Sequence, residues 1–290
     1  MVNTHKITAI IPVHSWDKVS GNIKNLINLK DIHKFKLVFI LDTCPLYAEN
    51  DLKELLSLTK NINFIVLSRS YNSASESRNE GLSIVDTEWL CFWDSDDLPN
   101  LSEFYNLYTS TSSENVDLVV GQIRTAYVKR GLEIKSKITK TSSYFTLALD
   151  LGFTRILYRS SFIKELFFSK FEIGEDTLFL AEIICKKPNI IFSQALVYNY
   201  LNSHWIINLT DKTLVQKLLQ LYSKLVEAKS MQKDDLVKGF YLLVTFKVLL
   251  SILKRVIFKN LRLTFTVVVY LIELFTINNL YCLSKLLIKR

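Results

Sequence analysis

WLCFWDSDDLPN, residues 89–100, places an apolar run directly before three carboxylates. The run at 89–93 is short and rich in aromatic residues, which is typical of a buried strand. Like charges about 4 Å apart repel by roughly 1 kcal/mol in water and roughly 4 at a protein surface, so Asp94, Asp96 and Asp97 are a costly way to build a turn. A divalent cation would reverse that cost, because Mg2+ and Mn2+ prefer hard oxygen ligands. Two alternatives stay open here, a metal site and a solvated acidic loop.

Strands and helices alternate around this stretch. Strands are expected at 6–13, 35–42, 62–68 and 88–94, and helices at 20–29, 48–60 and 73–85. This alternation predicts an α/β fold with right-handed crossovers and a mostly parallel sheet flanked by helices. Later segments predict a hairpin over 117–145, a strand running into a helix over 151–166, a helix over 174–187 and a strand pair over 189–201.

The carboxyl ends of the first four strands carry polar residues, and ligands of parallel sheets bind at those ends. His14, Asp42 and Arg69 each follow or end a strand, as the acids at 94–97 do, and Arg78 lies near the start of the helix that follows the third strand. A cation held by carboxylates, an arginine and a separate aspartate suit a nucleotide diphosphate better than a plain phosphate. We therefore expect a nucleotide site at this edge of the sheet.

Four segments together resemble the family 2 glycosyltransferases of the GT-A fold. They are ITAIIPVHSWDKVSGNI (7–23), SASESRNEGLSIVDTEWLCFWDSDD (73–97), FEIGEDTLFLAEII (171–184) and ALVYNYLNSH (195–204). The DxD pair alone is a weak signal, and the order and spacing of all four carry the resemblance. It implies a Rossmann-like GT-A catalytic domain over residues 1–210. It also implies inverting transfer of a sugar from a nucleotide-sugar, most simply a UDP-sugar, to a polysaccharide or lipid-linked glycan.

The resemblance implies roles for the acidic strand end. Asp96 would be the main ligand of Mn2+ or Mg2+ on the diphosphate, and Asp94 would contact the ribose or the metal. Asp97 would hydrogen-bond nearby backbone. His204 would contact the metal or a phosphate, with an ordinary surface loop histidine as the alternative.

The resemblance also implies a set of nucleotide-sugar contacts. They are Pro12, Val13, His14, Asp42, Arg78 and Asp94. The family usually has two adjacent acids followed by Gly-Ser at the position of Asp42, where this chain has LDTCPL. That departure leaves the identity of the nucleotide open. A helix-surface ion pair with Glu76 or Glu80 is the alternative for Arg78.

Inverting transfer needs a carboxylate that accepts the proton of the attacking hydroxyl. Glu175 and Asp176 are the candidates, and they open a predicted helix. Capping is the alternative, because two acids also favour the positive end of the helix dipole. The resemblance favours Asp176 as the base, with Glu175 orienting it or the acceptor.

The C-terminal part, 211–290, is predicted to be a helical, membrane-associating region. The chain has a net charge of +8, and all of it lies in 236–290, where nine Lys and Arg residues accompany one acid. At 100° per residue a basic arc opposes an aliphatic one, as in interfacial helices. The arc is Lys247, Lys254, Arg255, Lys259 and Arg262, facing Leu249, Leu253, Val256, Ile257 and Leu261. A helical cap on the catalytic domain is the alternative.

Composition narrows the class of protein. The four cysteines form no CxxC pair, and the apolar stretch near the N-terminus is too short for a signal peptide. We expect a cytoplasmic protein, peripheral on the inner face of the plasma membrane, whose partners are a nucleotide-sugar, a glycan or lipid-linked acceptor and an anionic membrane surface. Nucleic acid is not expected as a partner, because the basic residues alternate with aliphatic ones.

Two rival functions are a catalytically inactive, membrane-bound nucleotide-sugar-binding protein and a metal-dependent phosphatase-like hydrolase.

Overall fold

A computed structural model describes residues 5–59, 61–111, 115–127, 132–135, 143–171, 173–201, 212–256, 261–274 and 277–288. The described strands are β1 Ile7–Val13, β2 Phe35–Asp42, β3 Asn63–Arg69, β4 Trp89–Phe92, β5 Leu98–Pro99, β6 Leu118–Tyr127, β7 Leu132–Lys135, β8 Ile156–Arg159 and β9 Ile190–Leu201. The described helices are α1 Trp16–Ile27, α2 Tyr47–Leu58, α3 Ala74–Ser83, α4 Leu101–Ser110, α5 Tyr144–Leu149, α6 Ser160–Ile163, α7 Glu175–Cys185, α8 Lys212–Met231, α9 Asp235–Val256, α10 Leu261–Glu273 and α11 Ile277–Ile288.

The strands form one mixed sheet in the order β3-β2-β1-β4-β8-β6-β9-β5, with β7 pairing on β6. Strands β1 to β4 are all parallel, whereas β8 runs antiparallel to both β4 and β6. The predicted α/β fold with a mostly parallel, helix-flanked sheet is confirmed. Every residue of β1 and β2 is buried, because helices cover both faces of the parallel part.

Three local predictions need correction. The first helix begins at Trp16, a turn earlier than the expected residue 20. The expected strand pair at 189–201 is one strand, β9, whose pairing with β6 shifts register near Gln122. The hairpin partner of β6 is β7, and Tyr144–Leu149 is helical rather than extended. In the last two cases local apolarity fitted either structure, and long-range pairing decided between them.

Helix α3 packs closely on β1 at Gly81. A Cβ atom added there would lie 2.4 Å from Cγ2 of Ile10, so only glycine permits this approach. The contact matters for function because α3 carries Arg78 and Asn79. It fixes the C-terminal half of α3 against the sheet.

The chain folds into two compact units. The first comprises residues 1–140, 152–170 and 188–203, which include the whole sheet. The second comprises 141–151, 171–187 and 204–290, and so gathers α5, α7 and α8 to α11. The predicted domains 1–210 and 211–290 are continuous stretches of sequence, whereas each compact unit combines three separate stretches. The predicted domain division therefore stays a prediction.

Helix α9 is the centre of the second unit and packs on α5, α7, α8, α10 and α11. In the part of the chain that the structure describes, one helix, at Asp235–Lys254, is long and apolar enough to cross a bilayer, and 61% of its apolar stretch is buried in the protein. A core helix has the same length and composition, and the buried side chains of Phe240, Val244 and Leu249 fit that description.

The expected basic stripe over 247–262 lies only partly within the described residues. Helix α9 ends at Val256 and α10 begins at Leu261, and 257–260, including Lys259, lie outside the described residues. Lys247 is half-buried, and its ammonium donates to the carbonyl of Leu149 at 2.5 Å, at the end of α5. The helix dipole favours a lysine ammonium at the C-terminus of a helix. The charge of Lys247 is therefore engaged in a contact with α5 and does not belong to an open basic face.

Candidate functional site

The polar strand ends converge at a topological switch point. Strand β1 lies between β2 and β4, so the chain runs outward from β1 to β2 and β3 and then returns to β4 on the other side of β1. Three non-glycine residues after β1, β2 and β3 have left-handed backbones: Ser15 (φ 54°), Thr43 (φ 56°) and Asn72 (φ 51°). Such conformations are costly and cluster at functional sites, which marks this edge as the candidate site.

Asp42, at the end of β2, organises the loop between β3 and α3. Its buried carboxylate accepts the backbone N–H groups of Tyr71, Asn72 and Ser73 at 2.7–2.8 Å. The hydroxyls of Thr43 and Ser77 donate to it at 3.0 and 3.2 Å, and Nδ1 of His14 lies 3.6 Å away.

These donors keep Asp42 ionised. Burial alone would raise the pKa of its carboxyl, but the hydrogen bonds from Ser73, Asn72 and Thr43 and the nearby His14 outweigh burial and lower it. Sequence reasoning placed Asp42 against the nucleotide. In this structure, chain donors surround both of its oxygens, and it holds the loop that precedes Arg78.

Arg78 joins α3 to the acidic strand end. Its side chain is 7% exposed, and Nη2 donates to Oδ1 of Asp94 at 3.0 Å. The guanidinium carbon lies 4.7 Å from the ring centroid of Phe153 and 5.4 Å from that of Phe168. The predicted alternative, a surface ion pair with Glu76 or Glu80, does not describe this buried geometry; Glu80 pairs with Arg69 instead.

Asn79 fixes one of those two rings. Its amide nitrogen donates to the carbonyl of Phe168 at 2.9 Å, and its amide oxygen accepts the Phe168 N–H at 2.7 Å. Phe168 also packs edge-on against Phe92 at the end of β4, with centroids 5.1 Å apart. The position of the Arg78 side chain is therefore set by the rings of Phe153 and Phe168, which are distant from Arg78 in sequence.

The three acids after β4 occupy three different environments. Asp94 is half-buried, and its backbone N–H donates to the Tyr198 hydroxyl at 2.9 Å. Asp96 is exposed, and its carbonyl accepts a hydrogen bond from Asn22 at 2.9 Å. Asp97 is buried and accepts the Leu201 N–H at 2.7 Å, the backbone contact expected of it.

Burial, and then the charge of Asp94, raises the pKa of the Asp97 carboxyl to about 8. Asp97 therefore carries little charge near neutral pH, so Asp94 and Asp96 bear most of the negative charge of this strand end. The repulsion that three adjacent carboxylates would create is in this way partly relieved within the protein.

The donor set at this edge fits a metal bound to a nucleotide. Among the described residues, no three His, Cys, Asp or Glu side chains form a metal-binding cluster. Mg2+ on a nucleotide is typically held by only one or two protein carboxylates besides the phosphates. Asp96, exposed, and Asp94, half-buried, can supply that number, while His204 lies outside the described residues.

The other predicted nucleotide contacts lie at the end of β1. Pro12 and Val13 are buried, and the Cys44 thiol donates to the Val13 carbonyl at 3.3 Å. His14 is the open member of the group, with a side chain that is 38% exposed. Of these three, His14 is the residue whose side chain can reach a ligand.

Four contributors to this edge were not predicted from the sequence. Phe153 and Phe168 hold Arg78, Tyr198 contacts the backbone of Asp94, and Ser73 caps α3 by accepting the Glu76 N–H. Only Ser73 could have been found from sequence, as a serine directly before a helix. The aromatic residues resemble any other core residue until the chain is folded.

Glu175 and Asp176 lie in the second unit, in the first turn of α7. Gly174 precedes them with φ 85°, and an added Cβ there would meet the Leu221 side chain at 2.4 Å. Both acids are half-buried, and Asp176 Oδ1 accepts the Thr177 N–H at 2.7 Å. This local bond is consistent with the capping alternative, and catalysis by either acid stays a prediction.

A family model for glycosyl transferase family 2 matches residues 8–173, more than half of the chain. The chain belongs to glycosyl transferase family 2. The match includes β1 from its second residue, Asp42, Arg78 and the acids after β4, so the family assignment rests on the part of the sheet where the candidate site lies.

Known relatives agree with this assignment. Over 200 residues the chain is 27% identical to the poly(ribitol-phosphate) beta-N-acetylglucosaminyltransferase TarP of Staphylococcus aureus (strain N315). The aligned part is 63% of this chain and 59% of TarP. The crystal structure of S. aureus TarS 1-349 matches with a TM-score of 0.61 and 14% identity, over 87% of this chain and 81% of that one. The mannosyltransferase PcManGT of Pyrobaculum calidifontis, solved with GDP-Man and Mn2+, matches with a TM-score of 0.60 and 10% identity, over 100% and 89%. At these identities the structural matches establish the fold, which confirms the predicted GT-A architecture.

Proposed function

We propose that this protein is an inverting glycosyltransferase that moves a sugar from a UDP-sugar to a cell-wall polymer or a lipid-linked glycan. The observation that carries the proposal is the Arg78–Asp94 pair at the switch point, beside the exposed Asp96, in a chain of glycosyl transferase family 2. A guanidinium and two carboxylates next to the carboxyl ends of parallel strands suit a nucleoside diphosphate, with a divalent cation between the acids and the phosphates.

UDP is the favoured nucleotide because structural relatives were solved with it. TarS 1-349 has been crystallised with UDP and with UDP-GlcNAc, and matches this chain with TM-scores of 0.62 and 0.59. TarP is named as acting on poly(ribitol-phosphate). A polymer of the cell envelope is accordingly the acceptor class that we propose for this chain.

In the proposed reaction an acceptor hydroxyl oxygen bonds to the anomeric carbon of the donor, and the bond from that carbon to the diphosphate breaks. Asp176 accepts the hydroxyl proton, and UDP leaves with the bonding electrons. Asp96 and Asp94 would hold Mn2+ or Mg2+, which supplies positive charge for the leaving diphosphate. Arg78 keeps Asp94 oriented, and Asp42 keeps the loop before α3 in place.

The rival functions make different predictions. A phosphatase-like hydrolase needs its paired acids after the first strand, where this chain has His14 and Ser15. A catalytically inactive binding protein would retain donor affinity without turnover. We propose the cytoplasmic face of the plasma membrane as the site of action, since the net charge resides in 236–290.

The test is to incubate the purified full chain with a panel of nucleotide-sugars, with Mn2+, with Mg2+ or with chelator, and to measure nucleotide release. Release of UDP from one UDP-sugar, stimulated by a cell-envelope acceptor, supports the proposal. Binding of a UDP-sugar without release under every condition identifies the inactive binding protein. Release of inorganic phosphate from phosphate esters identifies the hydrolase.

A further inference from the structure

Helix α10 is apolar on both of its sides. Val267 is fully buried and Leu274 is 8% exposed, so one side packs into the second unit. Tyr270 adds to that packing by stacking on Tyr222 of α8, with ring centroids 5.3 Å apart. The other side carries Phe265, Val268 and Ile272, which are 72%, 37% and 66% exposed. Their spacing of three and four residues places them on one face, here called the α10 ridge.

An exposed face of a globular helix is normally polar, so the α10 ridge leaves apolar area without a polar cover. Helix α11 continues the pattern. Leu280 and Tyr281 are about half exposed, and Asn279 in the same turn donates to the carbonyl of Glu273 at the end of α10. Both helices therefore expose large apolar side chains.

The net positive charge of residues 236–290 indicates which partner binds the α10 ridge. Residues 236–290 contain nine Lys and Arg residues and one acid, Glu273. Lys254 and Lys285 are exposed, and the Lys285 ammonium lies 5.0 Å from the Tyr281 ring centroid. A lysine beside an amphipathic aromatic ring is an arrangement typical of membrane interfaces.

A second copy of the chain would bring the same segment, with nine basic residues and one acid, so the excess of like charge would oppose its approach. Anionic lipid headgroups attract the lysines, and the acyl boundary takes up the apolar side chains. We propose that the α10 ridge, with Leu280 and Tyr281, is the surface by which this protein lies on an anionic membrane. The contact is interfacial, and α9 stays in the core of the second unit.

This inference differs from the interfacial face expected from sequence, which was the basic stripe beginning at Lys247. The ammonium of Lys247 is engaged at the end of α5, whereas the α10 ridge contains no charged residue. Lipid contact is thus assigned to apolar side chains, and the surrounding charges attract the protein to the surface. The proposed membrane contact is independent of the proposed sugar transfer, because the two depend on different residues.

The test is flotation of the full chain with vesicles of mixed phosphatidylglycerol and phosphatidylcholine, and with vesicles of phosphatidylcholine alone. The wild type should float with the anionic vesicles. Phe265→Ser, Val268→Ser and Ile272→Ser combined should weaken that binding by roughly 10-fold or more, since three apolar contacts with the acyl boundary are lost. Leu46→Ser is the matched control, because Leu46 is 98% exposed in the first unit and its loss should leave flotation unchanged.

Folding and self-association are controlled separately. Circular dichroism should be the same for the triple variant and the wild type, because the substituted side chains are exposed. Phe265→Trp provides a second readout, since its emission should shift to the blue on addition of anionic vesicles. Unchanged flotation of the folded triple variant, or no emission shift, overturns the proposal. A dimer in light scattering that the triple variant abolishes, with lipid binding intact, assigns the ridge to a second copy instead.

Discussion

Nη2 of Arg78 and Oδ1 of Asp94 lie 3.0 Å apart, and they join α3 to the acidic end of β4 across 16 residues of sequence. The arginine reaches this position against the rings of Phe153 and Phe168. A planar guanidinium can stack on aromatic rings and donate in its plane at the same time, whereas an ammonium cannot. The pair is therefore specific for arginine.

Arg78→Lys should weaken binding of the UDP-sugar by roughly 10-fold or more, because the charge remains while the stacking and the oriented donor are lost. Calorimetric titration of the donor measures this effect. Arg159→Lys is the matched control, since Arg159 also stacks on an aromatic ring, Trp89, at 4.5 Å and pairs with Glu88, but at the opposite end of β4. Equal losses in the two variants would mean that arginine stacking contributes only to stability.

Asp42→Asn should destabilise the fold by about 1–3 kcal/mol at neutral pH, because the amide lacks the charge that the loop donors stabilise and brings two donors of its own. The pKa of Asp42 is lowered in the fold, so its contribution is present above the pKa of the unfolded chain and is lost as pH falls through the folded pKa. Urea unfolding of wild type and variant should therefore differ most near pH 7 and converge in acid. Glu227→Gln, which breaks an exposed pair with Lys224, should change stability little. A gap that stays constant in acid would contradict the ionised role of Asp42.

Asp96→Ala should abolish sugar transfer and remove the Mn2+ dependence of donor binding, because this exposed carboxylate is the proposed main metal ligand. Asp97→Asn should be milder, since that carboxyl is buried and holds backbone at Leu201. Donor titrations with Mn2+ and with chelator distinguish the two variants. Equal donor affinity of the wild type under both conditions would remove the metal from the proposal.

Asp176→Asn should lower kcat by roughly 10²–10⁴-fold and leave donor affinity nearly unchanged, because a general base acts only on the acceptor proton. The change is isosteric, so a folded protein is expected. Steady-state kinetics together with donor titration measure the two effects separately. Near-normal turnover would assign the base elsewhere, and Glu175→Gln is then the next variant to measure.

The sequence alone determined the α/β alternation, the parallel first half of the sheet and the polar residues at its strand ends. Those features are local, since a short apolar run, a following acid and a helix period depend on neighbouring residues only. It also indicated the family, because four segments of the chain keep the family's order and spacing. The placement of Asp42 and Arg78 at one edge followed from the rule that parallel strands end together.

Only the tertiary structure decided what these residues touch. The aromatic contacts of Arg78, the Tyr198 contact to Asp94 and the Leu201 contact to Asp97 each join residues 75 to 104 positions apart, and no local pattern encodes them. The same holds for the second unit, where Lys247 was expected on a lipid-facing stripe and instead binds the end of α5. A helical projection gives the direction of a side chain around its own axis, but which direction is solvent depends on the neighbouring helices. That is why the apolar face left exposed, on α10, became visible only in the folded chain.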